Sequence, residues 1–291
     1  MSSTPEAASV EVAVERWQAG RTEHATDRVA EEVPVALVYH GVPHVVMLAT
    51  PSDLEDYAVG FTVSEGLVAS AAEIQSVEVL TTSAGKSASL AAATPDGRGA
   101  SDLAEAVEVR IGIAAERFSA LLQRRRNLTG RTGCGLCGTE TLDQAMRPFA
   151  KLADGLRVPV SDLHEALASL DAQQPVNSRT GSVHAAAWCV PGKGIQWVRE
   201  DVGRHNALDK AIGALVRSGA DAAAGYMLVT SRASYEMVQK SVAAGISLLA
   251  AVSAPTALAI RIADGAGLTL VGFARRDRHV VYTHPQRLLH T

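Results

Sequence analysis

Residues 225–251 read GYMLVTSRASYEMVQKSVAAGISLLAA, and the fold of the chain turns on them. Tyr226–Thr230 (YMLVT) is a short apolar run with strand character, Tyr235–Gly245 reads as a helix, and Leu248–Ala254 (LLAAVSA) is apolar again. Such alternation is the pattern of a layered α/β sheet. The most apolar stretch, Ile246–Ile260, carries Ser253 and Pro255 and is too short to span a bilayer, so it is expected to be a buried core element.

Outward from this unit the alternation continues. Thr256–Ala263 reads as a helix, LTLVGFAR (268–275) as a final long strand, and VVYTH (280–284) lies behind it. Upstream come a helix over Val160–Leu170 with Ser161 as cap, SVHAAAWCV (182–190) as a strand or buried helix, IQWVRED (195–201) as a strand, and a helix over Asn206–Ser218. The expected fold class is α/β, with a layered αβα domain over 156–291 and a boundary near Leu152–Val158.

The first half is richer in strands and is expected to form a smaller β-rich, α+β domain over 31–155. VPVALVYHGVPHVVMLAT (33–50) reads as two strands joined at Gly41–Pro43. Ser52, with Glu55 three positions on, opens a helix that ends before Gly66, and a second helix-start signal falls near Ala71. SVEVL (76–80) and AEAVEVRIGI (104–113) alternate as half-buried strands do, with Ser83–Ala100 as an expanded loop between them. Glu116–Asn127 looks helical, and Thr139–Met146 resumes a helix after a glycine-rich stretch. Residues 1–30, rich in Ala, Glu, Ser and Thr, are expected to be a mobile lead-in before the first strand.

A net charge of −4 and a pI near 6.1 argue against a general nucleic-acid sleeve, so any anionic ligand must be met by a local basic patch. The N-terminal segment lacks a cationic stretch followed by an apolar run, which predicts a cytoplasmic protein with no membrane anchor. There are three cysteines, and two stand three positions apart, Cys134-Gly-Leu-Cys137, which disfavours a structural disulfide framework.

Thr129–Gly138 (TGRTGCGLCG) is too glycine-rich for regular structure, so the pair sits on a loop. Cys-x-x-Cys has three uses: half of a zinc site, a dithiol switch, or a thiolate that accepts and donates sulfur. Spacing alone does not choose among them. Zinc needs four ligands, and with no second pair it would have to recruit Cys189, His184 or His205, so no bound metal is expected. An ordinary thiol, with a pKa of ~8.5, is about 3% ionised at neutral pH. Arg131 and Arg124–Arg126 stand close enough in sequence to bring it down toward 7, where about half is thiolate. Cys189 lies in an apolar run and is expected in the core.

Several segments together resemble the formate dehydrogenase accessory sulfurtransferase (FdhD) family. They are TPSDLEDYAVGFTVSEGL (50–67), GCGLCG (133–138), TGSVHAAAW (180–188), REDVGRHNALDKAIG (199–213), TSRASYEMVQKS (230–241) and APTALAIRIADGAGLTLVGFAR (254–275). The resemblance runs from about residue 35 to the end, and its joint order is far more specific than any single motif. It implies a homodimeric carrier that takes persulfide sulfur from a cysteine desulfurase. The carrier then passes the sulfur to the molybdenum cofactor, as bis-molybdopterin guanine dinucleotide, before that cofactor enters formate dehydrogenase. The family's persulfide cysteine maps onto Cys134 and its second cysteine onto Cys137. Its cofactor segment maps onto Phe273, Ala274, Arg275, Arg276, Asp277 and Arg278, whose guanidinium groups suit phosphates. The family also implies a C-terminal domain resembling cytidine deaminases.

Two further runs carry polar groups between a strand and a helix start, where α/β folds place ligand contacts: Asp201–Asn206 with Asp209 and Lys210, and Thr230–Arg232. Helix capping by Asp201, Asn206 or Ser234 is the alternative for both. A zinc deaminase needs His-x-Glu, and His184-Ala185-Ala186 has no such glutamate, so deamination is disfavoured. A passive cofactor-binding chaperone and a zinc-binding deaminase-fold protein stand as the alternatives to sulfur transfer.

Overall fold

A computed structural model describes residues 8–82, 106–126 and 151–290. The loop expected over Ser83–Ala100, the Cys134/Cys137 pair and the helix expected over Thr139–Met146 lie outside the described residues.

The described residues open with a hairpin, within the stretch 1–30 that the sequence reading expected to be a mobile lead-in. β1 (Ser9–Gln18) pairs antiparallel with β2 (Arg21–Ala30) across a turn at Ala19 and Gly20, both at positive φ. The period-two signal is Val10, Val12 and Val14 between Glu11, Ala13 and Glu15. Most of both faces stays exposed, so the composition mimics a solvated tail. The hairpin is anchored at its base, where Ala8 and Ala30 pack with Val176, Val183 and Val202.

Next comes a four-stranded sheet in the order β4-β3-β6-β5, formed by β3 (Val33–Tyr39), β4 (Val42–Ala49), β5 (Ile74–Thr82) and β6 (Ala106–Ile113). The β3–β4 hairpin turns at His40 and Gly41, one residue earlier than the Gly41–Pro43 expectation. Val35, Leu37, Tyr39, Val109, Ile111 and Ile113 point to one face, where α1 (Leu54–Ser64) and α2 (Ala115–Arg126) cover them. Ser52 does not cap α1, because Asp53, in a left-handed conformation, holds the N-cap position without a side-chain bond. Ala71–Glu73 makes only a single 3-10 turn.

The second half is a six-stranded sheet in the order β13-β12-β11-β10-β8-β9. Its strands are β8 (His184–Val190), β9 (Gly194–Asp201), β10 (Tyr226–Val229), β11 (Leu248–Ala251), β12 (Thr269–Gly272) and β13 (Val280–Thr283). A two-stranded pair joins β7 (Val158–Pro159) to β14 (Leu288–Leu289), and a single helical turn, α4 (Asn177–Thr180), precedes β8. β10, β11 and β12 run parallel, as the strand–helix alternation requires, and β8, β9 and β13 are antiparallel to their neighbours.

Side chains of the buried strands alternate strictly between two cores. Met227, Val229, Leu249, Ala251 and Leu270 face α5 (Arg204–Arg217), α6 (Tyr235–Ala243) and α7 (Ala257–Ala266). Tyr226, Leu228, Leu248, Ala250 and Val271 face α3 (Val160–Leu170). These are the expected αβα layers. Pro159, rather than Ser161, occupies the N-cap position of α3. The expected likeness to cytidine deaminases rests on this strand–helix alternation alone.

The two sheets are bound through α1 and α5, which cross at Gly60 and Gly213 with backbone against backbone. Around the crossing, Asp56 pairs with Arg199 and Arg217. Asp209 accepts from Ser64 (2.6 Å) and from Lys240 (2.8 Å), which also pairs with Glu65 and lies over the Phe61 ring. Burial alone lowers the Lys240 amine, but Asp209 and Glu65 outweigh it and hold its proton above the usual lysine range.

Candidate functional site

Topology brings distant motifs to one end of the six-stranded sheet. The parallel strands β10, β11 and β12 end at Val229, Ala251 and Gly272, so Thr230–Arg232, Val252–Ser253 and Phe273–Arg278 emerge side by side. β8 runs the other way, with Ala186 opposite Val229, and so begins at this end with His184 opposite Asp201 of β9. Ligands of open α/β sheets bind at the carboxyl ends of parallel strands.

A cleft of about 410 Å³ opens there, between α3 and the segment after β12, lined among others by Leu167, Leu170, Gln174, Thr230, Arg275 and Arg276. Asn177, which also lines it, is fixed by Glu200, whose carboxylate accepts the backbone N–H groups of Val176 (2.9 Å) and Asn177 (2.7 Å). Burial raises the proton affinity of Glu200, and those two donors oppose the rise. Thr230 is fixed by its hydroxyl, which accepts the Ala185 N–H at 2.9 Å.

The six residues of the Phe273–Arg278 run have different surroundings. Ala274 is fully buried, and its N–H donates to Ala251 O at 3.1 Å. Arg275 builds the turn: its guanidinium donates to the carbonyls of Val252 and Ala274, and its N–H donates to Arg278 O at 2.8 Å. Among the described residues Arg276 meets Asp171 alone, at 3.9 Å with both side chains mostly exposed, a contact too weak to hold it. It is therefore the guanidinium most available to a ligand in the cleft. Phe273, Asp277 and Arg278 are exposed and do not line the cleft, and Phe273 takes a left-handed φ of 50°.

The Asp201–Lys210 run does something other than either expectation, ligand contact or helix capping. Asp201 is fully buried, and its Oδ2 takes Lys210 Nζ at 2.7 Å and the Thr50 N–H at 3.0 Å. Its Oδ1 accepts the Gly203 N–H (2.8 Å) and Asn206 Nδ2 (3.0 Å), and Asn206 also donates to Leu48 O. These side chains tie β9 and α5 to the end of β4, whereas the half-buried Arg204 and His205 take no part in that network. In the Thr230–Arg232 run, Ser231 is buried and bonded to Arg232 O, and Arg232 is exposed. Ser234 stands at the N-cap of α6, but its hydroxyl donates to Glu236.

One contact had no signal in the sequence. His164 of α3 and His279, 115 positions apart, hydrogen-bond at 3.1 Å and so link the two sides of the cleft, with His290 stacked on His279. Burial and the two neighbouring histidines lower the proton affinity of His279. Cys189 is fully buried, and burial pushes its thiol up to about 12, which makes it inert, as expected of a core residue. Among the described residues no group of three His, Cys, Asp or Glu side chains is arranged to hold a metal ion. No described helix is long and apolar enough to cross a membrane.

The fold and the cleft define an α/β protein whose arginines gather where the parallel strands of a mixed sheet end. The FdhD/NarQ family model matches residues 30–289, and the chain belongs to that family. It is 50% identical, over 96% of its length and 89% of the relative's, to the sulfur carrier protein FdhD of Cupriavidus necator. It is likewise 50% identical, over 96% of its length and 92% of the relative's, to the sulfur carrier protein FdhD of Xanthomonas euvesicatoria pv. vesicatoria. A crystal structure of a candidate formate dehydrogenase accessory protein from Desulfotalea psychrophila shares the fold, with a TM-score of 0.70 at 23% identity. That alignment covers 97% of this chain and 99% of the other.

Proposed function

We propose that this chain is a sulfur carrier and sulfurtransferase for formate dehydrogenase maturation, working in the cytoplasm as a homodimer. The observation that carries the reading is membership of the FdhD/NarQ family over 30–289, a span that includes Cys134 and Cys137. The arginine-lined cleft adds a place for an anionic cofactor. The part over 31–155 carries the cysteine pair, and the part over 156–291 holds the cofactor.

In this reading the Cys134 thiolate attacks the outer sulfur of a cysteine desulfurase persulfide. The desulfurase thiolate leaves, and Cys134 keeps the sulfane sulfur. Attack by the Cys137 thiol on Cys134 then forms a Cys134–Cys137 disulfide. The two electrons given up by the thiols reduce the sulfane sulfur to sulfide, the oxidation level molybdenum takes. The cofactor, bis-molybdopterin guanine dinucleotide, is substrate and cargo. The run Phe273, Ala274, Arg275, Arg276, Asp277 and Arg278 holds it, with Arg276 on a phosphate and Arg275 keeping the turn in shape.

Mass spectrometry after incubation with a cysteine desulfurase and cysteine tests this. One added sulfur atom is expected on Cys134, and the Cys134→Ala variant is expected to fold yet fail to activate formate dehydrogenase. Added sulfur on neither Cys134 nor Cys137 would overturn the carrier assignment.

A further inference from the structure

The cleft does not use every basic group at this end of the sheet. On the side of α5 and α6, Arg204 stands among three titratable side chains. Its charge lowers the proton affinity of His184 at the start of β8, of His205 beside it on α5, and of Glu236 on α6. His184 is half-buried and opposite Asp201, and His205 lies 3.9 Å from Glu236. Burial is the larger cause for both histidines, so both rings are neutral at pH 7 and present N–H groups without adding charge.

The niche has unmet hydrogen-bonding capacity. Arg204 Nε and His205 Nε2 are both buried, and neither has a hydrogen-bond partner among the described residues. The other buried or half-buried cations beneath the helices have acceptors among the described residues. Lys210 has Asp201, Lys240 has Asp209 and Glu65, and Arg199 has Asp56. Arg287, whose Nε is also unbonded, donates through its other nitrogens to Thr269 and Ala153 and pairs with Asp154. A buried N–H of a half-buried guanidinium left without an acceptor is unfavourable in the free protein, and a ligand that supplies the acceptor relieves it.

We propose that Arg204, flanked by the rings of His184 and His205, is an anion subsite that takes a phosphoryl group of a nucleotide-bearing ligand. The planar fork of an arginine suits phosphate oxygens, and the neutral histidine N–H groups supply further donors. The subsite lies at the same end of the sheet as the Arg275/Arg276 cleft, on the face that α5 and α6 cover. The subsite thus extends the cofactor site of the proposed function and rests on that reading for the identity of its ligand.

The test is calorimetric titration of the full chain with GDP and, separately, with inorganic pyrophosphate, using wild type, Arg204→Gln, Arg204→Lys and Arg276→Ala. NMR tracks the His184 ring in parallel. Arg204→Gln is expected to weaken both probes at least tenfold, and Arg204→Lys less. Saturating pyrophosphate is expected to raise the His184 pKa in wild type, since a bound anion favours imidazolium, and to leave it unmoved in Arg204→Gln. Unchanged binding of both probes by Arg204→Gln, or a wild-type His184 pKa that does not respond, overturns the subsite. If Arg276→Ala alone weakens GDP, the subsite falls and the cleft stands. If pyrophosphate binds through Arg204 but GDP does not bind at all, the subsite stands and the nucleotide reading falls.

Discussion

Gly60 of α1 and Gly213 of α5 meet so closely that a Cβ on Gly60 falls 1.7 Å from the Asp209 carbonyl oxygen. One on Gly213 falls 1.8 Å from that of Asp56. Both obstacles are helix backbone, which cannot swing aside. Gly60→Ala or Gly213→Ala is therefore expected to push the two helices apart and cost about 3 kcal/mol. Urea unfolding measures it, and a loss under ~0.5 kcal/mol would show that the crossing is not tight.

Removing Asp201 leaves the fully buried Lys210 ammonium facing, among the described residues, the Thr50 and Glu200 carbonyls. Asp201→Ala is expected to destabilise by roughly 3–5 kcal/mol, because a buried charge loses its partner. Adding Lys210→Met should recover part of that loss, since no unpaired charge remains. A double variant no more stable than Asp201→Ala would contradict the pairing.

His205 titrates near 6.5 when unfolded and about 4 when folded, mainly because burial disfavours the charged ring. Between those values the unfolded chain binds the extra proton, so stability is full above pH 6.5 and falls as pH drops toward 4. The loss from this one group is about 3 kcal/mol. His184 and His279 shift in the same direction and act with the same sign. Unfolding midpoints at pH 7.5 and 4.5 should converge in His205→Gln relative to wild type.

Cys189, with its thiol raised to about 12 and no exposed surface, should resist alkylation in the native protein at pH 8. It should react only once unfolded. Peptide mapping after iodoacetamide treatment, with and without urea, distinguishes the two, and native labelling of Cys189 would show that its core opens readily.

Arg276 is exposed and weakly paired, so Arg276→Ala should leave stability within ~0.5 kcal/mol of wild type. In the proposed function it should weaken GDP roughly tenfold, about 1.4 kcal/mol. Equal affinity would remove Arg276 from the site. A stability loss above 1 kcal/mol would assign it a structural role.

Much of the second half was legible because its strands are buried on both faces. YMLVT and LLAAVSA are nearly continuous apolar runs, and the helices between them carry one apolar stripe each, so the αβα alternation follows from local pattern. The hairpin Ser9–Ala30 was missed for the opposite reason, as its faces stay largely in water and composition could not separate it from a tail. Ser52 and Ser161 are good capping residues by type, but Asp53 and Pro159 hold the cap positions, because chain direction at the entrance decides a cap.

The sequence by itself determined the layered class, the motifs that place the chain in its family, and the chemistry open to Cys134 and Cys137. Each depends on residue type, spacing and short-range periodicity, which one chain carries locally. Tertiary structure decided which polar residues face a ligand and which hold the protein together. Asp201, Asn206, Asp209 and Lys210 look like ligand contacts in the sequence. They turn inward because Thr50, Leu48, Ser64 and Lys240, all at least thirty positions away, supply their partners. Arg204, in the same motif, is left with its buried Nε unbonded, and only folding shows the difference. A buried polar group is bonded or unbonded according to what the rest of the chain brings to it.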